Sequence, residues 1–256
     1  CGGPMNHAAD PSHPRYRSLL MRHRLEVAAK RGMLADSAMI AHGRGEAYDY
    51  LLGETTIPSA DVASQIALQA LMQAEHPVLS VNGNVVALAG DEMLRLADKI
   101  GCPLEVNIFY RTPERMDALL TDLRKRKERL GLDVDILGAN PDAVIPGLKG
   151  PRAKCEARGI LQADAILVPL EDGDRCEALV AMGKTVIVID LNPLSRSSQR
   201  GSITIVDELS RCLENMLTME TEALPSLDSY DHLQTLQDAL NAIIIGMKNK
   251  FVEAIE

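Results

Sequence analysis

Short aliphatic runs, each closed by a polar, turn-forming segment, constrain this chain more than any other feature. Ala165-Ile-Leu-Val168 leads into Pro169-Leu-Glu-Asp-Gly-Asp-Arg175, and Thr185-Val-Ile-Val-Ile189 leads into Asp190-Leu-Asn-Pro-Leu-Ser-Arg-Ser197. Runs this short and this apolar, rich in β-branched residues, predict strands buried on both faces of a sheet. In an open parallel sheet, ligands sit in the crevice outside the carboxyl ends of the strands. The Asp, Asn, Ser and Arg residues after these runs therefore fall where α/β proteins do their chemistry.

The same rhythm extends through the middle of the chain. Strands are predicted at 77–81, 104–109, 134–137, 165–168, 185–189 and 202–206, with helices at 91–99, 113–130, about 174–182 and 207–218 between or after them. Thr112 reads as the N-cap of the helix that Pro113 opens. Strands separated by single helices imply right-handed crossovers and a mostly parallel, doubly wound α/β sheet. Ahead of the sheet, a basic helical segment is expected from His13 to about Met33, a strand at Ser37–Ala41, and an alanine-rich helix over 59–75 with Val62, Ile66 and Ala70 on one stripe. A loop rich in Pro and Gly covers 138–151. After Pro225, the spacing of Leu233, Leu236, Leu240, Ile243, Ile244, Met247 and Phe251 predicts a C-terminal helix with one apolar stripe, packed on its own domain in preference to a seam between subunits. The organisation expected is residues 1–12 as a tag remnant (Cys1-Gly-Gly-Pro4 ahead of Met5) and disordered N-terminus, 13–219 as the catalytic domain, and 220–256 as a helical extension.

Composition narrows the function classes. A net charge of −9 over 256 residues argues against a general nucleic-acid surface. It leaves room for anionic small molecules bound by local arginines. No apolar run approaches the roughly 18–20 residues needed to cross a bilayer, and no secretory leader is legible, so a cytoplasmic protein is expected. The five cysteines are widely spaced, with no C-x-x-C and no clustered His, which speaks against a zinc site or disulfide framework.

Four constellations carry chemistry. Gly43-Arg44-Gly45-Glu46 reads as a tight turn whose guanidinium either forks a phosphate or carboxylate or is simply solvated. Asn82-Gly-Asn84, at the carboxyl end of a strand, offers two amides for orienting a substrate. Glu171-Asp-Gly-Asp174 supplies carboxylates that would ligate Mg²⁺ beside phosphates, through Asp172 and Asp174, or else cap the next helix. Arg175, in that helix's first turn, is a further candidate at the reacting groups. Ser195-Arg-Ser-Ser198 reads as a phosphate grip or a polar loop. No G-x-x-x-x-G-K-[ST] occurs, so a nucleotide would not be held by a P-loop.

Taken together, His13-Pro-Arg-Tyr16, Ala41-His-Gly-Arg-Gly-Glu-Ala-Tyr-Asp-Tyr50, Ser80-Val-Asn-Gly-Asn84, Asn107-Ile-Phe-Tyr-Arg-Thr112, Pro169–Arg175 and Asp190–Ser197 resemble the archaeal phosphopantothenate synthetase family, also called 4-phosphopantoate–β-alanine ligases. The resemblance runs in order from about residue 12 to 215. It implies a Rossmann-like, homodimeric, ATP-dependent ligase of coenzyme A biosynthesis that joins 4-phosphopantoate to β-alanine and releases AMP and pyrophosphate. It places ATP contacts on Arg22, Arg44, Asp190, Leu191, Asn192, Arg196, Ser197, Glu208 and Leu209. Glu208 is acidic where an amide is expected, so its contact would come from the backbone; Gln199-Arg200 shifts a basic group by one position. An ADP-forming phosphotransferase and a nucleotide-sensing module are the competing readings of the same pocket.

Overall fold

In the computed structural model, residues 10–253 are described, those from 248 onward by their backbone alone. Six aliphatic segments pair into one sheet: β1 (Pro77–Val81), β2 (Leu104–Val106), β3 (Ile136–Leu137), β6 (Ala165–Pro169), β7 (Thr185–Ile189) and β8 (Ile203–Ile205). Every pairing is parallel, in the order β3-β2-β1-β6-β7-β8. Two further strands, β4 (Ala143–Val144) and β5 (Lys154–Cys155), form a small antiparallel pair beside it, inside and just after the stretch expected to be loop.

Side chains alternate across a strand with period two, and the core divides accordingly. Leu79, Val81, Leu167, Ile187 and Ile189 join a large core with helices on one face, whereas Val78, Ile166, Val168, Val186 and Val188 enter a smaller core on the other. With both faces covered, the strands need no polar side, which is why they read as unbroken aliphatic runs. The large core takes residues from α1 (Tyr16–Lys30), α3 (Pro58–Gln73), α4 (Gly83–Ile100), α5 (Pro113–Leu130), α8 (Leu209–Thr218) and α9 (His232–Glu253). α6 (Gly173–Ala181) lies on the smaller core. α5 begins as expected: Thr112 Oγ1 accepts the Arg115 N–H at 3.2 Å, Pro113 occupies the first turn, and Gly131 ends the helix at φ +66°.

Several elements differ from the sequence reading. Ser37–Ala41 is not a strand; it opens α2 (Ser37–Leu51), which also absorbs Gly43-Arg44-Gly45-Glu46. A short apolar run cannot be told from buried helix by periodicity alone, and neither glycine adopts the positive φ of a turn. α4 starts eight residues before Asp91, at the Asn82 cap, and breaks at Ala89, whose φ is −144°. Ser195–Ser198 is no loop: Ser195 caps a short helix, α7 (Arg196–Arg200). β2 stops at Val106, leaving Phe109 exposed. In α3 the buried stripe runs through Ala63, Ile66, Ala67 and Ala70, while Val62 faces out. In α9, Leu236, Ala239 and Ile243 are buried in the large core, yet Leu233, Ile244 and Met247 are exposed, so the seven-residue stripe splits; the Phe251 side chain lies outside the described residues. Residues 1–9 also lie outside them. No helix among the described residues is long and apolar enough to cross a membrane.

Candidate active site at the sheet switch point

Strand order reverses between the parallel neighbours β1 and β6: β2 and β3 are added on one side of this pair, β7 and β8 on the other. Such a switch point opens a crevice at the carboxyl ends of the strands. A cavity of 340 Å³ occupies it, lined by Asn82–Asn84 after β1, Leu170 after β6, Leu191 after β7, and Glu208 and Leu209 after β8. α1 and α2 close it from outside through Arg17, Ser18 and Met21 and through Ala38, His42, Gly45, Glu46 and Asp49. Positions 38, 42, 45, 46 and 49 share one helix face because three- and four-residue spacings stack.

Backbone geometry at the crevice is tightly specified. Asn82 Oδ1 accepts the Val85 N–H at 3.1 Å and caps α4, while its Nδ2 donates to the carbonyls of Pro169 (3.3 Å) and Leu170 (3.0 Å). Leu170 holds φ +52°, an uncommon conformation for a residue with a side chain. Gly83 is required by close approach: a Cβ there would lie 2.8 Å from the Met33 carbonyl oxygen. Asn84 Nδ2 donates to the Ala38 carbonyl at 3.1 Å, tying α4 to α2. Both asparagines thus line the cavity, with side chains engaged in its framework.

The cavity's charges are largely paired. Glu46 accepts from Arg22 (2.7 Å) and Ser18, Asp49 pairs with Arg211 (2.6 Å), and Glu54 with Arg15 (2.9 Å). Glu208 caps α8, accepting the Ser210 and Arg211 N–H groups, and faces Arg17 at 3.4 Å. Burial pushes the Glu46 carboxyl up, but its bonds to Arg22 and Ser18 win and hold it below the usual range; for Asp49 burial wins and the carboxyl is raised. Arg152 is clamped by Glu171 (2.5 Å) and Asp172 (2.7 Å). Two cavity groups stand apart. Arg115 meets only the carbonyls of Tyr110 (2.7 Å) and Leu34 (3.4 Å) among the described residues, and its buried Nε has no partner. His42 Nε2 is likewise buried and, among the described residues, unpartnered.

The sequence-expected residues divide into groups. Leu191, Glu208 and Leu209 line the cavity with Asn82 and Asn84. Arg44 lies outside the lining but close enough to Asp190 for its charge to lower that carboxyl's pKa, which burial nevertheless raises. Asp190 itself accepts from Ser195 Oγ (2.5 Å) and the Asn192 N–H (2.9 Å), folding the loop after β7. Arg22 stands one residue removed, behind Glu46. Arg196 does not reach the cavity; it pairs with Asp174 and Glu177, both at 2.5 Å, on the exposed side of α6. Ser197 Oγ donates to the Glu171 carbonyl at 2.7 Å. Arg175 is corrected outright as a group at the reacting atoms: it is fully buried, off the cavity, bonded to Glu171 and to Ser80 Oγ (2.8 Å). Asp172 is the α6 cap, accepting the Arg175 N–H at 3.0 Å, and a partner of Arg152. With Asp174 on Arg196, neither aspartate presents a free carboxylate, and no cluster of three or more His, Cys, Asp or Glu among the described residues could hold a metal. These residues do not fit a preformed Mg²⁺ site.

Sequence reading missed Arg17, Arg115, Arg152, Arg211 and His42 as cavity residues. Arg17 lay within the basic segment expected as a helix, and Arg115 in the first turn after a recognised cap, but neither position signals a direction toward the crevice. Arg152 carried no local signal.

Comparison with known proteins identifies the relatives of this chain. The family model for phosphopantothenate/pantothenate synthetase matches residues 59–246. A Thermococcus kodakarensis protein named 4-phosphopantoate–β-alanine ligase is 47% identical over 237 residues, 90% of this chain and 89% of its own length. Proteins of the same name from Methanosarcina mazei and Methanospirillum hungatei are 45% and 44% identical, covering 94% and 82% of this chain and 96% and 84% of their own.

Proposed function

This chain belongs to the phosphopantothenate/pantothenate synthetase family, and we propose that it condenses (R)-4-phosphopantoate with β-alanine, using ATP and yielding 4′-phosphopantothenate, AMP and pyrophosphate for coenzyme A biosynthesis. The observation that carries this reading is the near-full-length similarity to archaeal relatives named for that reaction. The cavity supports it: substrates bearing phosphates and carboxylates need cationic and N–H donors, and Arg115 has unused donor capacity at such a wall.

The reaction runs through an acyl-adenylate. A pantoate carboxylate oxygen attacks the α-phosphorus of ATP; an O–P bond forms as the bond to pyrophosphate breaks, and pyrophosphate leaves with the electron pair. The amine then attacks the acyl carbon and AMP departs. Several negative charges meet before any bond forms, so the protein's part is positioning and charge neutralisation. ATP lies along the wall built by α2, Asp190–Asn192 and Glu208–Leu209, with Arg44 beside it and Arg22 released from Glu46 to meet phosphate. Arg115, at the mouth opposite, takes 4-phosphopantoate. A divalent ion accompanying ATP would be held mainly by phosphates and water, since the aspartates nearby are already paired. The enzyme acts as a homodimer in this reading, and the exposed apolar residues Ile40 of α2 and Leu233, Ile244 and Ile245 of α9 suit burial against another copy; sedimentation velocity tests it.

Incubation with ATP, Mg²⁺, 4-phosphopantoate and β-alanine, with identification of the nucleotide product, is the decisive assay. AMP with pyrophosphate, dependent on both acids, is expected. ADP would mean phosphoryl transfer, and binding without turnover a sensing role; either outcome overturns the proposal.

A further inference from the structure

An amide-forming enzyme must take a proton from its amine. The β-alanine amine, like a lysine side chain, is protonated at neutral pH and has no lone pair to attack with. The four carboxylates lining the cavity, Glu46, Asp49, Glu54 and Glu208, are all held by arginines. Asn82 and Asn84 are engaged with backbone. His42 differs: it lies on the face of α2 turned to the cavity, and its Nε2 is buried with no hydrogen-bond partner among the described residues. A buried polar atom without a partner is rare in a native structure and calls for a reason.

We propose that His42 is the general base that accepts the ammonium proton of β-alanine. Burial depresses the His42 pKa below its ordinary value, with Arg22 of α1 acting the same way and Glu46 of α2 and Glu208 at the start of α8 opposing it. The ring is therefore neutral at pH 7 and able to accept. A free Nε2 lone pair requires the tautomer protonated at Nδ1.

The step balances as follows. The ammonium gives one proton to His42 Nε2, which later returns it to solvent. The amine lone pair forms the C–N bond at the acyl carbon, and the acyl C–O bond breaks with its electron pair passing to the AMP phosphate. The second amine proton leaves the tetrahedral intermediate with that phosphate oxygen. The AMP leaving group rests on the acyl-adenylate reading; the need for deprotonation does not.

The test compares two amines in His42→Gln. With β-alanine, amide formation at pH 7 is expected to fall by about 10²–10⁴-fold, the usual share of a general base, and to recover as pH rises and the amine deprotonates unaided. With hydroxylamine, which is largely unprotonated at neutral pH, hydroxamate formation from 4-phosphopantoate and ATP is expected to stay near the wild-type rate. That retained activity also reports that the variant folds and activates its acid. An equal loss with both amines, or undiminished β-alanine turnover, would overturn the assignment. Pyrophosphate exchange into ATP, measured in wild type without amine, is read separately: its absence would remove the acyl-adenylate, while the two-amine comparison still judges His42.

Discussion

The side-chain amide of Asn82 donates to the carbonyl of Leu170 at 3.0 Å, joining the ends of β1 and β6 where the strand order of the sheet reverses. One residue therefore caps α4 and pins a neighbour at φ +52° that would otherwise relax. Asn82→Ala is expected to lower stability by about 1–2 kcal/mol through loss of the cap, with a further loss from the unpaired carbonyls. Asn82→Asp keeps the cap acceptor but not the two donated bonds, so its denaturation midpoint should fall between those of wild type and the alanine variant. A midpoint for Asn82→Asp equal to that of wild type would mean that the tether contributes nothing.

Arg115 and Arg44 should fail in different ways. Removal of a charged contact typically costs about 1.5–3 kcal/mol, more than tenfold in affinity. Arg115→Ala is expected to raise KM for 4-phosphopantoate by that factor with KM for ATP little changed, and Arg44→Ala to do the reverse. Both should unfold normally, because among the described residues neither forms an ion pair with a carboxylate that the change would orphan, Arg44 acting on Asp190 only through its charge. Steady-state kinetics with each substrate varied in turn decides the assignment.

Magnesium dependence should not pass through the aspartates of α6. Asp172→Asn and Asp174→Asn are expected to leave the Mg²⁺ titration of ligase activity unchanged. Asp172→Ala should cost about 1 kcal/mol of stability as a lost helix cap, read by chemical denaturation. A raised Mg²⁺ requirement in either asparagine variant would restore a metal role.

Glu105 links stability to pH. It is fully buried in β2, and although the N–H groups of Glu156 (2.9 Å) and Ile160 (2.7 Å) favour its ionised form, burial pushes its carboxyl up to about 7. The folded state thus binds this proton more tightly than the unfolded state, where the carboxyl titrates near its ordinary value. The stabilisation is complete below the unfolded pKa and is lost as pH rises through about 7. The loss is on the order of 3 kcal/mol at full ionisation. Urea midpoints of wild type and Glu105→Gln, measured from pH 4.5 to 8, should shift in favour of the variant as pH rises; parallel curves would place this carboxyl's titration elsewhere.

How much of this was legible locally differs from element to element. β1, β6 and β7 were readable because burial on both faces leaves an unbroken aliphatic run, and α5 because Thr112 and Pro113 announce its start. α2 was misread since its apolar residues are too few and its glycines too suggestive of a turn; its helical face exists to line a cavity, and an aliphatic core stripe is what periodicity detects.

Sequence alone determined the parallel sheet, the family, and the residues at the strand ends, including Asn82, Asn84, Leu191 and Glu208, because a buried strand must surface at its carboxyl end. Tertiary structure alone decided which cations reach the crevice and which are already spent. Arg211 meets Asp49 across 162 residues, and Arg22 meets Glu46 across 24. Arg175, beside the crevice in sequence, is buried beneath it. The pattern of a chain records how each segment buries its own apolar surface; the partner a charge finds depends on how separate segments dock.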